Sequence, residues 1–151
     1  VIRKAVNADV LRFVQLGQQF WYESNTHLFF GEYDPIHVQK VLNHGFSSGR
    51  LHGWAALREK NVEGGIVVVS DNCLWNGSKI IKELAWFCSQ DKRGFLDAIR
   101  LYREVEKYAV ANNYDQIVMG RIRGVPSYDK LDGFYKKQGF SHLEDTYIKK
   151  L

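Results

Sequence analysis

The passage from Ile80 to Ala109 constrains the fold more than any other part of the chain. Ile80 to Ser89 is a mostly apolar run with one carboxylate, Glu83, embedded in it, the pattern of a strand buried in the middle of a sheet. Ser89 to Gly94 breaks that pattern. From Asp97 onward Ala98, Leu101, Tyr102, Val105, Tyr108 and Ala109 recur at the spacing of one helical face. A central strand that feeds a long amphipathic helix through a glycine-containing turn needs other strands beside it and a sheet face for the helix to cover. The expected class is therefore α/β.

The flanking sequence supplies the other elements. Val1 to Val6 reads as a short edge strand, and Asn7 to Asp9 offers capping side chains for a helix carrying Val10, Leu11, Val14, Gln18 and Trp21. Glu23 to Asp34 is loop-like, and Pro35 suits the first turn of a second helix through Val38, Val41 and Leu42 that ends within Gly45 to Gly49. Leu51 to Leu57 is expected to pair with Gly65 to Ser70 across a turn centred on Asn61 to Gly64. Beyond the long helix, which Asn112 and Asn113 stop, Gln116 to Met119 makes another strand. Ser127 or Asp129 caps a last helix ending at Gly139, and Leu143 to Ile148 closes the sheet. No repeat or linker interrupts this order, so residues 1–151 are expected to form one mixed-sheet domain.

Composition narrows the function classes. A chain of 151 residues is the size of one domain that can bury a core without staples. Its apolar runs are far shorter than the roughly 20 residues a membrane-spanning helix requires, and the N-terminus lacks a secretory pattern, which points to a cytoplasmic protein without a membrane role. Cys73 and Cys88 have neither metal-like spacing nor companions, and the five histidines, His27, His37, His44, His52 and His142, are scattered, so no metal site is expected. The formal charge of +4 favours an anionic ligand such as a phosphorylated cofactor. Nucleic acid ranks second, because the basic residues are not densely clustered.

The chemistry concentrates at the passage Glu83-Leu84-Ala85-Trp86-Phe87-Cys88-Ser89-Gln90-Asp91-Lys92-Arg93-Gly94. A strand entering a helix through such a turn aims backbone N–H groups and the positive end of the helix dipole at one point, which suits a pyrophosphate, and Lys92 and Arg93 add charge. A second element, Phe134-Tyr135-Lys136-Lys137-Gln138-Gly139-Phe140, follows a further strand.

With these two elements the chain resembles the GNAT acetyltransferase superfamily over nearly its whole length. The superfamily motif Q/R-x-x-G-x-G/A at a helix start is matched by Arg93, Gly94, Phe95, Leu96, Asp97 and Ala98, and the later Tyr four residues before Gly-Phe by Tyr135, Gly139 and Phe140. The opening Ile2-Arg3-Lys4-Ala5 before a helix with Asp9 is similar to the superfamily's first strand and helix, and the ending Asp145-Thr146-Tyr147-Ile148-Lys149 is similar to acetyltransferases of phage genomes. The resemblance implies a single GNAT-like domain, a mixed, mostly antiparallel sheet of six or seven strands flanked by about four helices. It implies acetyl-coenzyme A as cosubstrate, without a metal, and direct attack by an amine substrate on the thioester. Two departures stand out: Leu96 replaces the usual middle glycine, and Asp97 puts a carboxylate beside the expected phosphate.

Under that resemblance, strand amides near Phe87 and Cys88 hold the thioester carbonyl and the pantetheine arm, and residues 93–98 cradle the pyrophosphate. An ammonium must lose a proton before it attacks, and Glu83, an acid in an apolar run with a raised pKa, fits the base, the alternative being a pairing with Lys82 or Arg121. Glu23 is a second acid for binding the amine. Tyr135 supplies a proton to the departing thiolate, with core packing as its other reading. Cys88 reads as packing rather than as a nucleophile. Trp21, Tyr22, Phe29 and Phe30 are candidates to line a substrate mouth, the other tryptophans are core or rim, and Arg121 to Lys130 is a basic loop beside the site. The acceptor, a small molecule or a protein lysine, is left open, as is the choice between monomer and homodimer. A different class also fits: an inactive GNAT-fold module that binds a protein or nucleic acid, suggested by Leu96 and Asp97.

Overall fold

The computed structural model describes residues 1–88 and 92–151, apart from the side chains of Lys92 and Arg93. Strands β1 (Ile2–Lys4), β2 (Leu51–Arg58), β3 (Asn61–Asn72), β4 (Lys79–Cys88) and β5 (Gln116–Val118) lie in that order across one sheet. The first three pairings are antiparallel and the step from β4 to β5 is parallel. A parallel step needs a crossover, and helix α4 (Lys92–Ala111) supplies it. Helices α1 (Val10–Glu23) and α3 (Pro35–Ser48) lie against the sheet on one side, α4 on the other. The short α2 (His27–Phe30) follows α1, and α5 (Tyr128–Lys137) follows β5.

β3 shows why the sheet is covered on both sides. Its run Ile66-Val67-Val68 is buried throughout, with Ile66 and Val68 in the cluster that contains Leu101, Val105 and Ala109 of α4, and Val67 in the cluster with Val10, Phe13 and Val14 of α1. Leu101 and Val105, one helical turn apart, lose all solvent exposure. Burying each such side chain is worth roughly 1.5–3 kcal/mol, so this seam anchors the long helix. α3 begins as its sequence dictates: Pro35 opens the first turn and the Asp34 carboxylate accepts the His37 N–H at 3.0 Å.

Asp9 behaves differently from the helix cap expected of it. Its buried carboxylate accepts two hydrogen bonds from the Arg3 guanidinium, at 2.7 and 2.9 Å, and one from the Val6 N–H at 2.9 Å, tying β1 to the start of α1. The hydrogen bonds from Arg3 hold it below the usual carboxylate range.

Several expectations need correction. Arg58 pairs with Asn61, so the first hairpin turns at Glu59 and Lys60, both at positive φ (47° and 73°), and not at Asn61 to Gly64. Positive φ at both central positions matches the right-handed twist of the strands. Gly64 lies inside β3 because β4 approaches closely there: a Cβ would come within 2.8 Å of the Cys88 sulfur. The Glu23 to Asp34 segment is not all loop, since Glu23 ends α1 and residues 27–30 form α2, giving five α-helices among the described residues instead of about four.

The sheet has five strands among the described residues, not six or seven, and Leu143 to Ile148 forms none. Alternate residues of that segment read Leu143, Asp145, Tyr147 on one side and Glu144, Thr146, Ile148 on the other, so neither face is continuously apolar. Leu143 and Tyr147 remain exposed, and Asp145 instead meets His142 at 3.3 Å. Among the described residues no helix is long and apolar enough to cross a membrane.

Candidate active site

β4 runs alongside β5 only from Ile80 to Lys82, opposite Gln116 to Val118, while on its other edge it stays paired with β3 as far as Cys88. From Glu83 onward β4 has no β5 partner, which leaves the backbone edge of residues 83–88 open among the described residues. The divergence coincides with a bulge: Val67 faces Ala85 and Val68 faces Glu83, so Leu84 is the extra residue on β4. A bulge re-aims side chains and sharpens the local twist, and this one falls between Glu83 and the open edge.

Glu83 and Tyr135 meet at this wedge through one residue. The Gly120 N–H, just beyond β5, donates to the Glu83 carboxylate at 3.1 Å, and the Tyr135 hydroxyl donates to the Gly120 carbonyl. Burial raises the Glu83 pKa above the ordinary carboxylate value, with the Gly120 N–H and the Lys82 charge acting in the opposite sense. Burial also lifts the Tyr135 phenol, the Glu83 charge adds to the effect, and Arg121 opposes it. The expected alternative partners lie elsewhere in part: Arg121 donates to the Tyr128 carbonyl at 3.0 Å and sits over the Tyr128 ring.

The other wall of the wedge is aromatic. Phe134 and Tyr135 of α5 pack on Trp86 of β4 with ring centroids 6.0 and 6.5 Å apart, and Phe134 meets Tyr102 of α4 edge-on at 5.5 Å. α5 is thereby fixed against β4 and α4 rather than against β5, which is how Tyr135 reaches the open side of the sheet.

At the start of α4, Gly94 is buried, Phe95 and Leu96 are half exposed, and Ala98 is partly buried. The Arg93 side chain lies outside the described residues. Asp97 resolves the difficulty that its charge posed: its side chain turns inward to Arg58 at the end of β2, at 3.0 Å, with Arg100 at 3.6 Å. Its negative charge is thus neutralised on the sheet side of the helix. A shallow cavity of about 230 Å³, lined by Val1, Leu57, Arg58, Leu96, Asp97 and Arg100, opens there. It faces β2, away from the wedge beside β5 where Glu83 and Tyr135 meet.

Phe87 points away from the wedge, into the α1 side of the core, where it meets Phe13 edge-on at 5.4 Å. Only its backbone is on the open edge. Burial, with the nearby Asp97 charge, pushes the Cys88 thiol up to about 12, so at neutral pH it is a protonated packing group and a poor nucleophile. Glu23 is exposed at the end of α1 and accepts from Gln19 at 2.8 Å. Trp21 packs on Phe30 and Tyr33, and its indole N–H donates to the Gly31 carbonyl at 2.9 Å. The loop after α1 touches the loop before α5, because Gly124 lies so close to Ser24 that a Cβ would overlap the Ser24 carbonyl.

Three residues at the site are not evident from the sequence alone. For Gly120 the only signal is a glycine directly after a strand, where a ladder can stop. Arg58 gave no local sign, because its partner is distant in sequence. Trp86 looked like ordinary core.

A scan against protein-family models finds no match, and a search of curated proteins finds none. Solved structures match over the full chain. A predicted acetyltransferase from Clostridium acetobutylicum, solved with acetyl-CoA, superposes with a TM-score of 0.76 at 14% identity, covering 99% of this chain and 95% of its own. A ribosomal-protein-alanine N-acetyltransferase from Brucella melitensis biovar Abortus 2308 gives 0.73 at 14% identity, covering 100% and 99%. An aminoglycoside acetyltransferase from an uncultured soil metagenomic sample, in complex with sisomicin, gives 0.71 at 14%, covering 100% and 95%. The chain therefore has the GNAT acetyltransferase fold. These structures lend no support to a phage origin.

Proposed function

We propose that the chain is an N-acetyltransferase that moves the acetyl group of acetyl-CoA to a primary amine by direct attack. The observation that carries this reading is the joining of Glu83 and Tyr135 to the two ends of one residue, Gly120, where β4 and β5 diverge. The open β4 edge from residue 83 to 88 offers amides for the pantetheine arm and thioester carbonyl, and the N-terminal turn of α4 offers its positive end to the pyrophosphate. With Asp97 neutralised by Arg58, that carboxylate no longer opposes the phosphate.

Glu83 takes a proton from the bound ammonium, directly or through a water. The freed amine attacks the thioester carbon, the carbonyl electrons move onto oxygen and are held by strand N–H donors, and collapse breaks the C–S bond. Tyr135 turns its hydroxyl from Gly120 and gives its proton to the departing thiolate, and the extra proton still carried by the newly acylated nitrogen returns through a water to the tyrosinate, leaving the neutral amide and free thiol. Removing one donor to such an oxyanion typically costs about 2.7–4 kcal/mol of transition-state stabilisation.

Solved neighbours act on a ribosomal protein's alanine and on aminoglycosides, and both supply amines, so the acceptor panel includes an alanine-terminated peptide and sisomicin beside polyamines and lysine peptides. Acetyl-CoA at about 100 times its dissociation constant should add roughly 2.7 kcal/mol of stability, and Tyr135→Phe should lower turnover about 100-fold while leaving cofactor binding in place. No thermal shift would end the reading and favour the inactive binding module. Undiminished turnover by Tyr135→Phe would remove Tyr135 from the mechanism.

A further inference from the structure

Trp86 carries a feature that the acid-base scheme leaves unused. Its indole Nε1 is shut off from solvent and has no hydrogen-bond partner among the described residues. A buried donor left unpaired costs about 1–3 kcal/mol, and such groups are rare in native proteins. The surroundings supply no relief. Phe134, packed on the indole, has no acceptor, and the Tyr135 hydroxyl oxygen, which donates its proton to Gly120 and keeps free lone pairs, is not placed to accept from the indole. The position is informative as well. Trp86 faces Ile66 across the β3–β4 ladder, lies four residues beyond the last β4–β5 pair at Lys82, and packs on the side of the sheet where α4 and α5 stand. The residue that carries the unused donor therefore sits on the open stretch of β4, with its ring against that of Tyr135.

We infer that Trp86 is a positioning residue whose indole N–H donates to an amide carbonyl of the pantetheine arm, setting the arm's depth against Tyr135. This rests on the acetyl-CoA reading above. An amide carbonyl suits the site because it is a neutral acceptor that an aromatic wall can bury without stranding a charge. Because the indole nitrogen is closed to solvent in the free protein, the arm reaches it only as the Phe134 or Tyr135 ring packed on the indole gives way; binding then satisfies a donor that the free protein leaves unpaired, so the contact discriminates between the empty and occupied states.

The test uses the full chain labelled with 15N-tryptophan, whose four indoles give four N–H signals, one each from Trp21, Trp54, Trp75 and Trp86. Replacing Trp86 by benzothienylalanine, which exchanges the N–H for sulfur at nearly the same shape, removes one signal and so assigns it. On adding acetyl-CoA or pantetheine alone, that signal should move downfield, while adenosine 3′,5′-bisphosphate alone should leave it in place. The isosteric replacement should weaken acetyl-CoA binding about tenfold, which corresponds to about 1.4 kcal/mol, with the melting temperature of the free protein unchanged or raised. Acetyl-CoA binding with an unmoved Trp86 signal, or with equal affinity in the isostere, would overturn the assignment and leave the acetyl-CoA reading standing. A wild-type chain that binds no acetyl-CoA would overturn both.

Discussion

Replacing Glu83 by Gln should make the protein more stable and nearly inactive, two opposite effects of one change. Burial raises the Glu83 pKa, so the folded chain holds that proton more tightly than the unfolded chain does. Stability is then greatest below the unfolded pKa and falls as pH climbs toward the folded one. Gln reproduces the protonated form in shape and keeps an oxygen to accept the Gly120 N–H, so E83Q escapes the cost of ionising a buried group. The gain should appear at neutral pH as a higher melting temperature, by about 2–4 °C for each kcal/mol in a domain of this size. The same change removes the general base, which should lower kcat about 100-fold, or roughly 2.7 kcal/mol of barrier, and abolish the acidic limb of the pH–rate profile. Melts by circular dichroism from pH 4 to 8, with thiol release measured in parallel, read both effects. The stability gap should close on acidification below the unfolded carboxyl pKa. An E83Q protein that melts below wild type at pH 7, or that turns over at the wild-type rate, would refute the burial argument or the base assignment respectively.

Two further substitutions probe how the site is supported. Gly64→Ala would set a Cβ 2.8 Å from the Cys88 sulfur and 3.0 Å from the Phe87 carbonyl, so it should cost about 1–3 kcal/mol and weaken acetyl-CoA binding by displacing the end of β4. Gly133→Ala on α5, where a Cβ meets nothing within 4 Å, is the matched control and should leave stability unchanged or raise it by about 0.5–1 kcal/mol; equal losses in both variants would contradict the close-approach account. Asp9→Asn should cost about 1–2 kcal/mol at neutral pH, discounted because Arg3 is partly exposed, in denaturant melts. Because the Asp9 pKa is lowered by folding, that wild-type advantage should persist above the ordinary carboxylate pKa and vanish as pH falls through the folded one; an advantage that survives there would contradict the ion pair's role.

The parts of the molecule that follow from local periodicity were legible. The strand around Glu83 and the helix carrying Leu101 and Val105 needed only a mostly apolar run and a 3.6-residue period to be placed, Asn112 marks the end of that helix, and Pro35 marks the start of α3 by backbone chemistry. The errors arose where a partner distant in sequence decides. Asn61 and Gly64 carry turn-forming composition, yet Gly64 is needed for the approach of β4, and the turn falls to Glu59 and Lys60, which composition alone does not favour. Leu143 to Ile148 has strand-like residues, but a strand forms only against an edge, and β5 is three residues long. Asp97 is the clearest case: its charge looked incompatible with a phosphate until Arg58, 39 residues away, was seen to hold it.

Under the proposed mechanism, the arrangement at Gly120 would let one wedge keep an acid and a base in opposite protonation states. A carboxylate and a phenol placed side by side compete, since the charge of one disfavours ionisation of the other. Here the Glu83 charge is among the causes that raise the Tyr135 pKa, so as soon as Glu83 ionises to serve as base, Tyr135 is held more firmly as an acid. The peptide segment at Gly120 adds to this, because an N–H donated to a carboxylate and a carbonyl accepting from a phenol leave the same residue engaged at both ends. Deprotonating the base therefore readies the acid, and the window between the two pKa values is where acetyl transfer should run. Glu83→Gln should narrow that window from above as well as remove its lower limit: the Tyr135 phenol, freed of its charged neighbour, should titrate at lower pH than in wild type. Ultraviolet titration of tyrosinate in the two proteins measures this, and an unchanged Tyr135 titration would show that the two groups are not electrostatically coupled.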